Sequence, residues 1–289
     1  MHAEKFPKVF AIVLNYNGKE TLLECIQSLH CSSYQNLEIV IVDNASTDDS
    51  LVLAKKKYPN IHYIVNSKNI GFSSGNNVGI RFALEKFADY VFLLNNDAWV
   101  TKKSIANMVA FAEKDSRIGI MSPLILNHDG SQIWFSGGEI NWLRMRAMHR
   151  HSSDLVNPSS IAYATGCAML IGKRTFKKIG LFDEDYFLYY EDVDFSLRAR
   201  KNNFSVLFFP GAKVFHREDS NQKNSRKTYW LVFSALLFFK KHSPIWIQIW
   251  HFFYFIIRKY KNLIDCTLDK KNDCVLTREA YMDFASYEK

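Results

Sequence analysis

An acidic residue at the end of an apolar run is the sharpest chemical signal in the sequence. Asp97 follows the run Tyr90–Leu94, from which it is separated by two amides, Asn95 and Asn96. A carboxylate in this position can bind a divalent cation, and that cation can bridge a diphosphate. An ordinary turn aspartate is the alternative interpretation.

A second acidic group lies at the predicted start of a helix over residues 189–200. Glu191 and Asp192 stand side by side there, where the positive end of the helix dipole favours ionised acids. An ionised Asp192 could accept a proton from a reacting hydroxyl, although helix capping would explain one of the two acids. His216, beyond a predicted strand at 204–209, is a candidate metal ligand, and a structural histidine is the alternative.

Polar side chains also follow the other apolar runs. Residues 15–17 read Asn-Tyr-Asn, residues 43–48 read Asp-Asn-Ala-Ser-Thr-Asp, and residues 69–79 are rich in Asn and Gly. Turn and capping chemistry explains each group singly, but together they follow successive predicted strands. Neither G-x-G-x-x-G after the first strand nor G-x-x-x-x-G-K-[ST] occurs, which disfavours dinucleotide oxidoreductases and P-loop NTPases.

The elements that must position these residues alternate between strands and helices. Strands are predicted at 9–14, 37–42, 61–65 and 90–94, and helices at 21–29, 50–58 and 76–87. This order favours the α/β class, with a mostly parallel sheet and helices on both faces. The carboxyl ends of the strands then meet at one edge, where such sheets bind ligands. The following region, 101–217, is less regular.

Composition and charge narrow the class of protein. The chain has 289 residues, of which 48% are hydrophobic and 23% charged, so a packed core is expected. A net charge of +8 suits an anionic partner or a solvated basic face. No basic run with interleaved aromatics indicates nucleic acid as a partner. The five cysteines form no C-x-x-C, so we expect reduced thiols. The start of the chain shows no signal-peptide pattern, and a cytoplasmic protein is predicted.

The C-terminal part differs in composition. Residues 229–239 and 245–257 are apolar and aromatic, and each run is shorter than the ~20 residues that span a bilayer. Trp246 and Trp250 close to Arg258 fit an interfacial helix on anionic lipid, so membrane contact is predicted through 229–261. A helical hairpin packed on the main domain, or on a second subunit in a homodimer, is the alternative.

Taken together, these motifs resemble the inverting family 2 glycosyltransferases of the GT-A fold. The branch they resemble is the rhamnosyltransferase group, whose members build bacterial cell-surface polysaccharides. The resemblance covers about residues 8–217 and rests on four segments, 42–48, 69–79, 94–97 and 191–195. We therefore predict a GT-A domain at 1–218, with a nucleotide-binding half (about 1–100) and an acceptor half (about 101–218). A C-terminal helical extension is predicted at 219–289.

The resemblance also implies roles for individual residues. Asp43 would contact the nucleobase, Asp97 would bind Mn²⁺ or Mg²⁺, and His216 would be a second metal ligand. Asp192 would be the catalytic base, and Glu191 would help to position the acceptor. The other donor-binding positions implied are Leu14, Asn15, Tyr16, Asn44, Asn69, Gly71, Phe72, Gly75, Asn76, Asn95 and Asn96. The segment beside the donor sugar and acceptor would be Thr165, Gly166 and Cys167. Asn95 stands where the family motif has its first acid, which leaves fewer negative charges for the metal.

The resulting hypothesis is a single displacement from a nucleotide-sugar donor, with dTDP-rhamnose as the first choice. The acceptor would be a saccharide or lipid-linked saccharide at the inner face of the cell membrane. Two other classes stay open. A non-catalytic nucleotide-sugar-binding protein would keep the fold and bind donor without turnover. A nucleotidyltransferase would need a Gly-rich, basic loop after the first strand, where this chain has only Asn17-Gly18-Lys19.

Overall fold

The computed structural model describes residues 6–152, 156–217, 225–268 and 273–287. Its strands are β1 (Val9–Asn15), β2 (Leu37–Asp43), β3 (His62–Val65), β4 (Tyr90–Asn95), β5 (Ala98–Val100), β6 (Ile118–Asn127), β7 (Ile133–Phe135), β8 (Gly138–Asn141), β9 (Arg146–His149), β10 (Ser159–Ser160), β11 (Ala168–Gly172) and β12 (Ser205–His216). Its helices are α1 (Leu22–His30), α2 (Ser50–Lys57), α3 (Gly71–Glu85), α4 (Ser104–Ala112), α5 (Lys173–Ile179), α6 (Glu191–Lys201), α7 (Ser225–His242), α8 (Ile245–Thr267) and α9 (Cys274–Tyr287).

A central sheet has the strand order β10-β12-β6-β11-β4-β1-β2-β3. Strands β1 to β4 run parallel to one another, because a helix returns the chain between each pair of consecutive strands. Strand β11 lies antiparallel to both β4 and β6, whereas β12 runs parallel to β6. The predicted α/β class with a mostly parallel sheet is confirmed, and so is the C-terminal helical extension.

The first strands form the centre of the core. Val9 to Val13 are fully buried, as are Val40 to Val42. A strand that is covered on both faces has no solvent-facing positions, which explains why these segments read as continuous apolar runs. Ile80 and Ala83 of α3 are also fully buried, and α3 packs against β1 and β2.

Helix α3 begins at Gly71, several residues before the predicted start at Asn76. Gly75 and Gly79 are four residues apart and therefore lie on the same face of the helix. A Cβ atom on Gly75 would lie 2.5 Å from Leu14 Cδ1, and one on Gly79 would lie 2.6 Å from Ile12 Cγ2. The glycines thus allow the helix to approach β1 closely, and this packing outweighs their low helix propensity.

Strand β6 has no counterpart among the predicted elements, since Gly119 and Pro123 interrupt its apolar pattern. Its pairing with β11 involves Ile120 and Met121, so Pro123 lies outside that ladder and its missing N–H is not required there. The β12 side of β6 is also irregular, because the register shifts between Phe209 and Lys213.

The contacts divide the chain into two compact units. Unit 1, which holds the central sheet, consists of Met1–Glu139, His149–Asp185 and Glu191–Glu218. Unit 2, which holds helices α7 to α9, consists of Ile140–Met148, Tyr186–Tyr190 and Asp219–Lys289. The predicted boundary at 218 coincides with the last of these divisions, while unit 2 also takes in two short segments from the predicted main domain.

Helix α9 packs against α7 and α8 within unit 2. Cys266 near the end of α8 and Cys274 at the start of α9 form a disulfide, with Cα atoms 5.4 Å apart. The prediction of reduced thiols is therefore wrong for this pair, whereas Cys25, Cys31 and Cys167 are free. The pairing depends on the approach of two helix ends, which cysteine spacing alone does not reveal.

Candidate functional site

The carboxyl ends of β1, β2 and β4 lie side by side. Asn15 is opposite Asp43 in the β1–β2 register, and Leu14 is opposite Asn95 in the β1–β4 register. Since the three strands are parallel, the loops that follow them meet at one edge of the sheet. Three of the polar groups found in the sequence are thereby brought together.

Asn15 links these groups through its side chain, which is fully buried. Its Nδ2 lies 2.8 Å from Asp43 Oδ1, 2.9 Å from Ser50 Oγ and 3.0 Å from Ser46 Oγ, so its two hydrogens are shared among three acceptors. Its Oδ1 accepts from Asn96 Nδ2 at 3.0 Å. An amide offers two donor hydrogens and one acceptor oxygen, so both ends of this side chain are used in holding the site together.

Asp43 lies at this edge with both carboxylate oxygens occupied by hydrogen bonds. Oδ1 accepts from Asn15 Nδ2 and from Ser46 Oγ at 2.7 Å, while Oδ2 accepts from the Ser46 backbone N–H at 2.9 Å. The side chain is 1% exposed. In this structure Asp43 shapes the β2–α2 loop, and its contact with a nucleobase stays a prediction.

Asn44 ties the third polar loop to the end of β2. Its Nδ2 donates to the Gly71 carbonyl at 3.0 Å and to Asn69 Oδ1 at 3.2 Å, and its Oδ1 accepts from Asn66 Nδ2 at 2.8 Å. Gly71 has φ +87°, a left-handed conformation that favours glycine. The loop that leads into α3 is therefore fixed beside β2.

The other predicted donor residues differ in their surroundings. Asn76 is buried and donates to the Phe72 carbonyl within α3 at 3.0 Å. Tyr16 is 50% exposed at the rim of the β1 loop. Leu14 contacts α3 at Gly75. Tyr16 thus presents its ring to solvent, whereas Asn76 supports the backbone.

Asp97 lies in the turn between β4 and β5, close to His216 at the end of β12. His216 is opposite Ala98 in the β5–β12 register, and its Nε2 is 3.2 Å from Asp97 Oδ1. The Trp134 ring packs edge-on against the imidazole, with centroids 4.5 Å apart. The sheet thus brings together two candidate metal ligands that are far apart in sequence.

The donor atoms of this pair fit a divalent cation. Asp97 Oδ1 and His216 Nε2, which are 3.2 Å apart, are the two atoms of the pair that could share one cation, whereas His216 Nδ1 lies on the other side of the ring. Carboxylate oxygen and imidazole nitrogen are suitable ligands for Mn²⁺. The described ranges contain no cluster of three or more Cys, His, Asp or Glu suited to a metal. A cation at this pair would therefore need further ligands from outside the described residues, such as water or a bound substrate.

The protonation of His216 is set by opposing effects. Burial lowers its pKa, but the neighbouring Cys167 and Asp97 raise it more strongly, to about 11. The imidazole is consequently protonated in the absence of a metal, and a cation must displace that proton to bind.

The segment 165–167 contacts both groups of acidic residues. The Asn95 N–H, two residues before the candidate metal ligand Asp97, donates to the Cys167 carbonyl at 2.9 Å. The Gly166 N–H donates to Asp192 Oδ2 at 2.9 Å. A Cβ atom on Gly166 would lie 3.0 Å from the Phe72 ring and 3.7 Å from Glu191 Oε1. This tight segment therefore lies between the candidate metal ligands and the acidic pair. Within it, the hydroxyl of the buried Thr165 accepts from the Cys167 N–H at 3.3 Å.

The acidic pair begins α6, and its two members differ in protonation. Burial raises the pKa of Asp192 to about 6, although the N–H groups of Gly166 and Val193 partly offset this rise. Burial and the charges of Asp192 and Asp194 raise the pKa of Glu191 well above its usual range. With a pKa of about 6, Asp192 is therefore largely ionised at neutral pH, and Glu191 holds a proton more strongly than an ordinary glutamate, as expected for two adjacent carboxyls.

The third acid of the motif has a different environment. Asp194 pairs with Arg198 Nε at 2.7 Å, and its side chain is 2% exposed. The Arg198 guanidinium also donates to the Ile179 carbonyl at 2.7 Å and to the Leu181 carbonyl at 2.9 Å. Asp194 thus anchors α6 to the preceding loop through Arg198.

Sequence reasoning missed a backbone feature directly before the acidic pair. Tyr189 and Tyr190 both have φ +67°, a conformation that costs about 1–3 kcal/mol for each non-glycine residue. Unit 2 holds this segment in place. The Ala147 N–H donates to Tyr190 Oη at 3.1 Å, and Ser234 Oγ donates to the Leu188 carbonyl at 2.8 Å. The only hint in the sequence is the Tyr-rich stretch before Glu191.

A second missed residue is Asn77, which lies beside the predicted Asn76. Its Nδ2 donates to the Phe182 carbonyl and to Glu184 Oε1, both at 2.9 Å, and its Oδ1 accepts from the Phe182 N–H at 3.1 Å. Arg81 pairs with the same Glu184 at 2.7 Å. These bonds attach α3 to the loop that leads toward the acidic pair.

Comparison with known proteins shows which family the sequence matches. A family model described as Glycosyl transferase family 2 matches residues 10–180, more than half of the chain. A low-salt glycan biosynthesis hexosyltransferase of Haloferax volcanii is 28% identical over 226 residues, which are 75% of this chain and 70% of the relative. An N-acetylglucosaminyl-diphospho-decaprenol L-rhamnosyltransferase of Mycobacterium tuberculosis is 26% identical over 231 residues, which are 72% of this chain and 75% of the relative.

Among solved structures, the crystal structure of GalNAc-T7 with UDP, GalNAc and Mn²⁺ superposes with a TM-score of 0.64 at 20% identity. The match covers 81% of this chain and 48% of that chain. At this identity the likeness concerns the fold, and it confirms the predicted GT-A architecture. The chain therefore belongs to glycosyl transferase family 2 and is a glycosyltransferase.

Proposed function

We propose that this glycosyltransferase acts by a single displacement that inverts the anomeric carbon, with Asp192 as the base. The observation that carries the proposal is the state of the acidic pair. Asp192 is half-buried and, with a pKa of about 6, largely ionised at neutral pH, and two backbone N–H groups fix its carboxylate. A base with a pKa of about 6 can take a proton from an acceptor hydroxyl near neutral pH.

Glu191 assists by orienting the acceptor. Its Oε2 is buried and has no hydrogen-bond partner among the described residues, and its raised pKa favours the protonated form. A neutral carboxyl can both donate and accept a hydrogen bond. It can therefore hold a sugar hydroxyl without competing with Asp192 for the proton.

The donor is a nucleoside-diphosphate sugar whose diphosphate lies at the Asp97–His216 pair. A bound Mn²⁺ or Mg²⁺ would stabilise the negative charge of the leaving diphosphate. The Asn15 network holds the ends of β1, β2 and β4 rigidly, so the site is organised before the donor binds. We take dTDP-rhamnose as the first donor to test, supported by the rhamnosyltransferase named among the relatives.

The acceptor is a saccharide carried on a lipid diphosphate, in the synthesis of a cell-surface polysaccharide. The support is the diphospho-decaprenol acceptor in the name of the Mycobacterium relative, together with the surface of α8. Trp246, Ile249 and Phe253 are among the residues that make the outward face of α8 apolar. Within the described residues, no helix combines enough length and apolar character to cross a membrane.

We accordingly propose that α8 lies in the plane of the inner face of the cell membrane. The helix has 23 residues and is about 34 Å long at 1.5 Å per residue. By helical spacing, Lys259 and Lys261 flank its apolar face on opposite sides, as in helices that bind anionic lipid surfaces. The alternative is that a second copy of the chain covers the same face, in which case the protein would be a dimer in solution.

The function is tested by measuring nucleotide release from a panel of donors with a lipid-linked saccharide acceptor, with and without Mn²⁺ or Mg²⁺. We expect acceptor-dependent release from one donor, with a requirement for the cation. The Asp192→Asn variant should bind that donor with nearly unchanged affinity and lose most turnover. Binding of a donor without any transfer by the wild-type chain would instead support the non-catalytic class.

A further inference from the structure

Unit 2 contains a cavity of about 430 Å³ that the reaction described above does not use. Its walls come from the β8–β9 hairpin, the Tyr190 segment and helices α7, α8 and α9. Much of the lining is apolar and includes Met145, Leu236 and Phe255. This volume lies in the range of small-molecule sites, which are usually apolar with a few polar groups that fix orientation.

Two guanidinium groups supply the charge of the cavity. Arg146 of β9 and Arg258 of α8 both line it, next to Tyr281 of α9. Burial raises the pKa of the Tyr281 hydroxyl, whereas the positive charges of Arg258 and Arg146 both act on it and lower that pKa. Within the described ranges neither arginine forms an ion pair with a carboxylate. The cavity therefore combines two unpaired positive charges with apolar walls.

One residue that lines the cavity also directly precedes the acidic pair in the chain. This residue is Tyr190, which is joined by one peptide bond to Glu191. The strained backbone of Tyr190 is fixed by the Ala147 N–H, and Ala147 is another lining residue. A ligand in the cavity would thus contact the residue that directly precedes the acidic pair in the chain.

We propose that this cavity binds the isoprenoid diphosphate part of the acceptor. The hydrocarbon chain lies against Leu236 and Phe255, and the diphosphate binds Arg146 and Arg258. Two phosphate groups match two guanidinium groups, which bind phosphate through paired charge-assisted hydrogen bonds. A single isoprenoid chain also suits a cavity of about 430 Å³ better than the two acyl chains of a glycerophospholipid. This inference rests on the proposed function, since it assigns a site to the acceptor of that reaction.

The direct test is titration of the full chain with farnesyl diphosphate by calorimetry, in the absence of any sugar donor. The Arg146→Gln and Arg258→Gln variants should each bind it about tenfold more weakly or worse, as loss of one charge-assisted hydrogen bond implies. The matched control is Arg144→Gln, because Arg144 is exposed on the same hairpin but does not line the cavity. This control should bind like the wild type.

Further arms separate the two parts of the ligand. Farnesol and inorganic diphosphate should each bind at least about tenfold more weakly than farnesyl diphosphate, because each lacks one half of the recognised chemistry. Ala235→Phe fills the cavity and should also weaken binding, with thermal unfolding measured to verify that the variant is folded. If the Ala235→Phe variant is unfolded, the affinities of the two arginine variants for farnesyl diphosphate provide the test instead.

Three results would overturn the proposal. They are unchanged farnesyl diphosphate binding in both arginine variants, equal affinity for inorganic diphosphate, and equal affinity for dihexanoyl phosphatidylglycerol. Because no sugar donor is present, these outcomes do not depend on turnover. A chain that binds farnesyl diphosphate through both arginines yet transfers no sugar from any donor would contradict the proposed function and leave the cavity assignment standing.

Discussion

Burial of Asp192 determines how the activity depends on pH. Its pKa is raised to about 6, chiefly by burial. Since the base must be ionised, we expect kcat/KM to fall about tenfold for each pH unit below 6. Asp192→Asn should reduce kcat by about 10²- to 10⁴-fold and abolish this acidic limb. The measurement is a pH–rate profile of both proteins at saturating cation.

The same pKa shift implies that acid pH stops turnover without unfolding the protein through this group. A carboxyl whose pKa is higher in the folded chain than in the unfolded chain favours folding when it is protonated. For this group, acid that stops turnover does not lower the stability of the fold. A profile for the wild type that stays flat from pH 8 to pH 5, with the protein still folded, would remove Asp192 as the base.

Arg198 provides a stability prediction at the same scale. Arg198→Ala leaves Asp194 as a buried carboxylate without its cation and should cost about 3–5 kcal/mol. Urea denaturation followed by circular dichroism measures the loss. Arg117→Ala is the matched control, since it breaks a fully exposed Arg–Asp pair and should change the midpoint little. Equal effects from both variants would show that the buried pair has no special role.

At the scale of elements, the close approach of α3 and β1 depends on glycine. A Cβ atom at Gly79 would lie 2.6 Å from Ile12 Cγ2 and 3.0 Å from Val42 Cγ2, and all three residues are buried. Gly79→Ala should therefore destabilise the fold by about 1–3 kcal/mol despite the better helix propensity of alanine. Gly172→Ala is the control, because its nearest neighbour would be 3.6 Å away, and it should be neutral in thermal unfolding.

Membrane docking is a prediction about the outward face of α8. Ile249 and Phe253 are 70% and 55% exposed. The double change Ile249→Glu and Phe253→Glu should prevent co-flotation of the chain with anionic liposomes, because it places charges in the apolar face. Val52→Glu adds a charge at a 68% exposed apolar position on α2 and should leave flotation unchanged. Flotation of the double variant at the wild-type level would contradict the docking surface.

Much of the first half of the fold could be predicted from local sequence. The apolar runs of β1, β2 and β4 are continuous because these strands are buried on both faces. Their parallel order also predicts that Asn15, Asp43 and Asn95 meet at one edge. Helix α3 and strand β6 were harder to delimit, since Gly75, Gly79 and Pro123 are tolerated only through tertiary packing that the sequence does not display.

Residues of the candidate site could be predicted where a polar motif follows the end of a strand. They could not be predicted where backbone conformation or distant contacts determine their position. Asp97 and His216 are paired by the β5–β12 register, which the sequence suggested only through resemblance. The left-handed Tyr189–Tyr190 segment leaves no signature, because tyrosine carries no preference for positive φ. Asn77 and Arg198 act through partners that are distant in the chain or part of its backbone, which composition and spacing do not show.

At the scale of the whole molecule, unit 2 should influence turnover through the Tyr190 segment. Ser234→Ala removes the donor to the Leu188 carbonyl and leaves a strained segment less well held. We expect kcat to fall about tenfold while the dissociation constant of the donor stays unchanged, as isothermal titration and initial rates can show. Ser286→Ala, exposed on α9, is the control. A shift in donor affinity with unchanged kcat would contradict this role.

The way unit 2 is assembled bears on how such enzymes can be recombined. Two of its pieces, Ile140–Met148 and Tyr186–Tyr190, are encoded inside the stretch that builds the sheet-bearing unit. A chimaera spliced once at residue 218 would therefore join three tail helices from one parent to a hairpin and a tyrosine segment from the other. Exchange of the tail between relatives should therefore succeed only when all three pieces come from the same parent.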